Sequence, residues 1–210
     1  MKLKWYGHSC FGLTFANGTT IVTDPFDASV GYPLCTVRCD AALTSHGHFD
    51  HNYTDSLTGD FQTLSKPGSY EVGGVKITGV ASFHDEAQGA KRGTNVIFIL
   101  EGDGLKIAHL GDLGHLPDAA QAAALADVDL LLIPIGGTYT LTTPEAVEVI
   151  SMLKPRTAVA MHYSNAYCKF GITDESEFVR LTGAEWVEND LEVTPETLTA
   201  LPSAILLKYE

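Results

Sequence analysis

Short apolar runs rich in β-branched and aromatic residues constrain this chain more than any other feature. In the first half only turns separate them: KLKWY, then CFGLTFA, the dipeptide Asn17-Gly18, and TTIVTD. Asn-Gly between two such runs is the strongest short hairpin signal, because both residues accept the positive φ that the tight turn requires. AALT ends at Thr44, and VKITGVASF, NVIFILEG and LKIAHLG read as further strands, the last two joined through Gly-Asp-Gly. In the second half the pattern alternates. LPDAAQAAALAD is helix-like, DLLLIPI a buried strand, TTPEAVEVISML a helix with Thr143 placed to cap and Pro144 in its first turn, TAVAMH a strand, and TDESEFVRL a short helix. Strands followed by alternating β and α units predict an α/β molecule, with helices packed outside its sheets.

A chain of 210 residues, 45% hydrophobic, can bury a sizeable core and is expected to form one domain over residues 1–210. No apolar run reaches the roughly 18 residues of a membrane helix, and MKLKWYGHSC lacks the apolar segment of a secretion signal. The expectation is a soluble, cytoplasmic protein with no membrane partner. A formal charge of −13, with 13 scattered basic residues, argues against a nucleic-acid surface, which rests on clustered Lys and Arg. A small-molecule substrate is expected instead; an anionic one would need a locally cationic pocket, which bound metal ions would supply. Oligomeric state has no signature here. Cys10, Cys35, Cys39 and Cys168 are too irregularly spaced for a disulfide framework, and CTVRC lacks the usual metal-binding spacing, so reduced structural thiols are expected.

Against this background TSHGHFDH stands out: it places three histidines and an aspartate within His46–His51, in a chain with 8 histidines. Imidazole and carboxylate together are ligands for Zn, Mn and Fe. Side chains alternate in an extended segment, so His46, His48 and Asp50 project from one side while His51 points away. One ion could not easily take all of them, which favours two adjacent ions with further ligands from elsewhere. His84 closes VASFH, Asp112 follows KIAHLG, and His162 ends TAVAM, each where a strand meets a loop.

Asp24 in TDP, HGHFDH, His84, Asp112 in GD and His162 follow one another in the order of the metallo-β-lactamase superfamily, which the chain resembles over nearly its whole length. GHSCF, RGTN and PIGGTYT are similar to a small stand-alone branch of metal-dependent hydrolases related to the ascorbate-6-phosphate lactonases. The resemblance implies a four-layer αββα sandwich, two sheets face to face with helices on both outer sides. It implies that His46, His48 and His84 bind one ion, that Asp50, His51 and His162 bind the other, that Asp112 bridges them, and that Asp24 braces the histidine loop without touching metal. The cofactors would be two divalent transition-metal ions, Zn foremost with Mn and Fe as alternatives. Hydroxide held by the ions would attack a small ester, lactone or phosphoester, Asp50 would orient it or take a proton, and His8 and Tyr139 are the candidate acids for the leaving group. Two other readings stay open: an RNA-processing nuclease of the same superfamily, and a metal-binding regulator without turnover. The redox di-iron branch resembles a motif with Glu where this chain has His48.

Three further residues admit two readings each. His109, inside an apolar strand, orients a ligand or is a satisfied core histidine. His115 serves the site or is merely solvated, and Arg92 in KRGTN holds an anionic substrate group or faces water.

Overall fold

The computed structural model describes residues 1–168 and 170–209. Strand alternation orients its beginning: β1 (Lys2–Gly7) buries Leu3 and Trp5 and turns Lys4 and Tyr6 outward. It pairs antiparallel with β2 (Cys10–Thr14), which pairs antiparallel with β3 (Thr20–Thr23) through the expected turn, where Gly18 takes a φ of +91°. Then the direction changes. β4 (Ala41–Leu43) and β5 (Gln62–Leu64) continue the sheet in parallel, and β13 (Leu191–Glu192) closes its other edge against β1.

The second sheet begins with three antiparallel partners, β6 (Gly68–Val72), β7 (Val75–Phe83) and β8 (Thr94–Gly102), followed by antiparallel β9 (Leu105–His109). The turn between β8 and β9 is Asp103-Gly104, both at positive φ, as the Gly-Asp-Gly signal predicts. From β9 the pairing is parallel through β10 (Leu130–Pro134), β11 (Thr157–Met161), β14 (Ala204–Leu207) and β12 (Glu185–Val187). β10 and β11 are buried at every position, which explains why they read as continuous apolar runs and not as alternating ones. One apolar core draws on both sheets, with Leu13 and Ile21 from the first and Ile97, Ile107 and Leu131 from the second.

The two-sheet α/β fold is the one expected, and its helices are few and short. α1 (Ala119–Ala124) starts later than the apolar pattern suggests, because Asp118 caps it by accepting from Ala120 and Gln121. α2 (Thr143–Leu153) is capped by Thr142 and not by Thr143. Thr142 is extended and accepts from the Glu145 amide, and Glu145 closes the reciprocal box; the Thr143 hydroxyl instead donates to the Ile135 carbonyl. α3 (Ser176–Thr182) and α4 (Pro195–Leu198) complete the set. The crossovers from β3 to β4 and from β4 to β5 carry only single 3-10 turns. Those crossovers are therefore loops, and one of them is the histidine loop. Among the described residues no helix is long and apolar enough to cross a membrane, and the four cysteines are buried and unbridged.

Candidate metal centre

Strand direction gathers the site. β1, β3 and β4 run the same way in their sheet, and β7, β9, β10 and β11 run the same way in theirs. Each parallel set therefore ends on one side, and the loops that leave it carry every residue the motifs point to. His8 follows β1, Asp24 follows β3, the His46–His51 loop follows β4, His84 follows β7, Asp112 follows β9 and His162 follows β11. In-register pairing of Thr23 with Leu43, and an Asp24 amide donating to the Leu43 carbonyl at 2.8 Å, set Asp24 directly against the histidine loop.

Asp112 lies at the centre. Its Oδ2 is 3.1 Å from His84 Nε2, 3.3 Å from His162 Nε2 and 3.8 Å from His46 Nε2, while Oδ1 is 3.2 Å from His51 Nε2. The ligand atoms of His46, His48 and His84 lie within 4.8 Å of one another, and so do those of His8, Asp50, His51 and His162. These groups coincide with the two sets that the resemblance implies, with His8 added to the second. A cavity of about 370 Å³ opens above them, with His48, Asp50, His84, Asp112 and His162 on its surface together with Phe49, Arg92, Tyr139 and Phe170. A larger one, about 590 Å³, lies beyond the loop and takes in His46 but none of the other candidate ligands. The chemistry belongs to the smaller cavity, where nitrogen and oxygen donors converge.

Hydrogen bonds orient the ring nitrogens. Asp24 Oδ1 accepts from the Ser45 amide at 2.7 Å, and its Oδ2 accepts from the Ser45 hydroxyl at 2.7 Å and from His51 Nδ1 at 2.8 Å. With its proton on Asp24, the Ser45 oxygen is left to accept from His46 Nδ1 at 3.0 Å. This chain of bonds directs the Nδ1 proton of His46 to Ser45 and that of His51 to Asp24, so the Nε2 atoms face the cluster as donors of lone pairs. The bracing role expected of Asp24 is the geometry observed.

Charge in this cluster is uncompensated. Burial, with His51 adding to it, pushes His46 down to about 3. Burial also opposes a proton on His51, but Asp112 and Asp24 outweigh it and hold that ring well above the usual histidine range. Burial alone would raise Asp112; His162 and His51 beside it keep its carboxyl well below the ordinary range. The carboxylates thus stay ionised, and the upward push on His51 marks where they demand positive charge. His51 Nε2 and Asp112 Oδ1 are nevertheless buried with no hydrogen-bond partner. A cation between them would satisfy both, and the nitrogen and carboxylate donor set fits a divalent transition metal.

The remaining candidates fall in different places. His8 is fully buried, with Nε2 3.2 Å from Asp50 Oδ2 and Nδ1 3.9 Å from Cys168 Sγ, and it does not reach the cavity surface. Burial and His162 push it down to about 4. The turn after β1 points it inward, so this candidate leaving-group acid lies beneath Asp50 and meets the site through that carboxylate. Tyr139 does line the cavity, half-exposed at its rim. His109 is a satisfied core histidine, donating from Nε2 to the Ser9 carbonyl at 2.8 Å and accepting at Nδ1 from the Gly111 amide. His115 accepts from the Phe83 amide at 3.2 Å and donates to the Leu116 carbonyl at 2.8 Å, so it latches the loop that carries His84. Arg92 faces the cavity.

Two contributors escaped the motif reading. Ser45, directly before the first histidine, carries no motif signal of its own, yet it joins Asp24 to His46. Asn95 accepts from the Asp112 amide at 3.0 Å and donates to the Ser82 hydroxyl and the Leu110 carbonyl, so it holds the central carboxylate's backbone. An asparagine opening the otherwise apolar NVIFIL run was its signal.

The comparisons with known proteins agree with this geometry. The family model for a Beta-lactamase superfamily domain matches residues 2–162. A UPF0173 metal-dependent hydrolase from Methanoregula boonei is 31% identical over 196 residues, 78% of this chain and 82% of its own length. A second, from Thermococcus onnurineus, is 30% identical over 213 residues, 87% of this chain and 92% of its own. A solved metallo-β-lactamase superfamily structure from Thermotoga maritima superposes with a TM-score of 0.82 at 39% identity, covering 98% of this chain and 97% of that one. With fold, motif order and clustered donors in agreement, the chain belongs to the metallo-β-lactamase superfamily, among its metal-dependent hydrolases.

Proposed function

We propose that this chain is a small-molecule hydrolase in which His46, His48 and His84 hold one divalent metal ion, Asp50, His51 and His162 hold a second, and Asp112 lies between them. The observation that carries the reading is Asp112, whose two oxygens face ring nitrogens of both groups from a buried position with Oδ1 unsatisfied. The ligand set suits Zn, with Mn and Fe as alternatives. When bound, such ions supply Lewis acidity towards the electrophilic oxygen and lower the pKa of water to near neutrality.

The chain's own residues do the rest. Burial would raise the Asp50 carboxyl, but His51 and His8 hold it below the usual range, so it stands in the cavity as an anion able to orient water or accept its proton. Tyr139 offers a phenol at the rim for the leaving group. Arg92 is the one Lys or Arg among the described lining residues, which suits a small substrate better than a polyanion such as RNA. Four buried free thiols favour a reducing, cytoplasmic setting.

Elemental analysis after gentle purification, followed by a screen of lactones, carboxyl esters, phosphoesters and RNA with Zn, Mn or Fe restored, tests the reading. The expected result is two ions per chain and metal-dependent hydrolysis of a small ester, lactone or phosphoester. At most one ion under metal-replete conditions would remove the dinuclear site. Full loading without turnover on any member of the panel would favour the regulator reading.

A further inference from the structure

We propose that the cavity above the metal centre selects substrates with an apolar body and a single oxyanionic end, and that Arg92 receives that end. This deepens the hydrolase reading by naming its substrate class, and rests on that reading for the bond that is cut but not for the binding itself.

The chain has 26 acidic and 13 basic residues, so carboxylate partners are plentiful. Arg156 has Asp129 and Arg180 has Glu177, whereas Arg38, away from the cavity, has no such pair among the described residues. Arg92 has none among the described residues, although it lies against the cavity. The two carboxylates nearest in sequence are both engaged: Glu86 pairs with Lys91, and Asp85 is taken up by backbone amides, those of Ala87, Gly89, Lys91 and Arg92 itself donating to it at 2.7 to 3.0 Å. The guanidinium is held by uncharged groups instead. Its Nη2 donates to the Thr138 carbonyl at 2.8 Å, and its Cζ lies 5.7 Å from the centroid of the Tyr139 ring. Both contacts fix its direction and neither neutralises it, which leaves a preorganised fork of donors for a carboxylate or phosphate.

Thr138 ties this wall to the opposite one. It is β-branched yet takes a φ of +54°, and its hydroxyl donates to the Gly171 carbonyl at 2.9 Å, beside Phe170. Backbone strain of this kind persists where the surroundings over-determine it, characteristically at ligand sites. Phe170 meets Phe49 edge-on at 6.2 Å, and Phe49 is 51% exposed, Tyr139 43%. Large aromatic faces left open in one cavity form the apolar part of a recognition surface. A flat apolar body fits between them with its charge towards Arg92 and its reacting bond over Asp112.

Calorimetric titration of the metal-loaded protein with 3-phenylpropionate, its neutral amide and 2-phenylethyl phosphate tests this without requiring turnover. The wild type is expected to bind one or both anions about 10- to 100-fold more tightly than the amide, the range of a charge-assisted pair; the ratio of the two anions names the oxyanion. Arg92→Ala should abolish most of that preference with metal content retained, Arg92→Lys should keep part of it, and Phe49→Ala should weaken acid and amide by the same factor. Equal wild-type affinity for anion and amide, a comparison that needs no variant, overturns the proposal. So does a preference that survives Arg92→Ala, because the anion would then be held by the ions. Hydrolysis of the lactone, carboxyl-ester and phosphoester panel is measured separately. Its absence throughout, with the anion preference intact, would sink the hydrolase reading and leave the role of Arg92 standing.

Discussion

His8 owes its place to one backbone angle. A φ of +50° turns it under the cluster, where its carbonyl accepts from Trp5 Nε1 at 2.9 Å and from the His162 amide at 3.2 Å while its ring supports Asp50. Asparagine tolerates that φ better than alanine does, so His8→Asn removes the ring and spares the turn. We expect it to weaken one of two ions by about 10- to 100-fold, as loss of a ligand's support commonly does, and to leave the other unchanged in a competition titration against a chromophoric chelator. Unaltered binding of both ions with turnover lost would instead assign His8 the role of leaving-group acid. Asp24→Asn tests the bracing from beneath. One oxygen becomes an amide that must face the donors of Ser45 or His51, and breaking such a buried pair costs about 3 to 5 kcal/mol. Urea denaturation should show this loss. A change below about 1 kcal/mol would mean that the bracing is incidental.

At the scale of elements, the loops after the strands hold the site because backbone meets backbone closely there. A Cβ on Gly114 would land on the main chain of His84 and Asp85, so Gly114→Ala must displace either the loop of Asp112 or that of His84. The expected outcome is reduced metal content together with a lower melting temperature; normal loading would show that the loops adjust independently. α2 offers a milder case. Thr142→Ala removes its reciprocal cap and should cost about 1 kcal/mol, read as a shift in the urea midpoint at unchanged slope. Its start was legible to within one residue. Two adjacent threonines offer the same hydroxyl, and only the path of the chain decides that Thr142 is extended while Thr143 donates to Ile135.

Across the whole molecule, the two sheets contribute to one cluster: the His46–His51 loop comes from the first, and His84, Asp112 and His162 come from the second. Ions held there would join the sheets and stabilise the folded chain by mass action, about 2.7 kcal/mol per ion at a free concentration ~100 times its Kd. For a chain of this size each kcal/mol moves the melting temperature by about 2–4 °C. Chelation is therefore expected to lower it by on the order of 10 °C, reversibly on adding metal back. A melting temperature indifferent to chelator would mean that the site is already rigid without ions or does not bind them. Alkylation of unfolded, unreduced protein should label Cys10, Cys35, Cys39 and Cys168, all free in the fold; a quantitative bridge between any two would contradict the reducing setting.

Periodicity and motif order in the sequence determined the long strands, the Asn17-Gly18 hairpin, the βα alternation of the second half and the identity of the clustered donors. Those features are local: side-chain alternation, turn propensity and ligand chemistry act over a few residues. β5, β6, β12, β13 and β14 were not legible, because two- to five-residue strands form where a sheet edge or a neighbouring strand accepts them and not from a pattern of their own. Only tertiary structure decided which nitrogen each histidine turns inward, that His8 lies under Asp50, that His109 and His115 serve the scaffold, and that Arg92 is left without a carboxylate. Each of these depends on partners far away in the chain, Asp24 for His51, Ser9 for His109 and Thr138 for Arg92, and such pairings exist only once two sheets have been packed against each other.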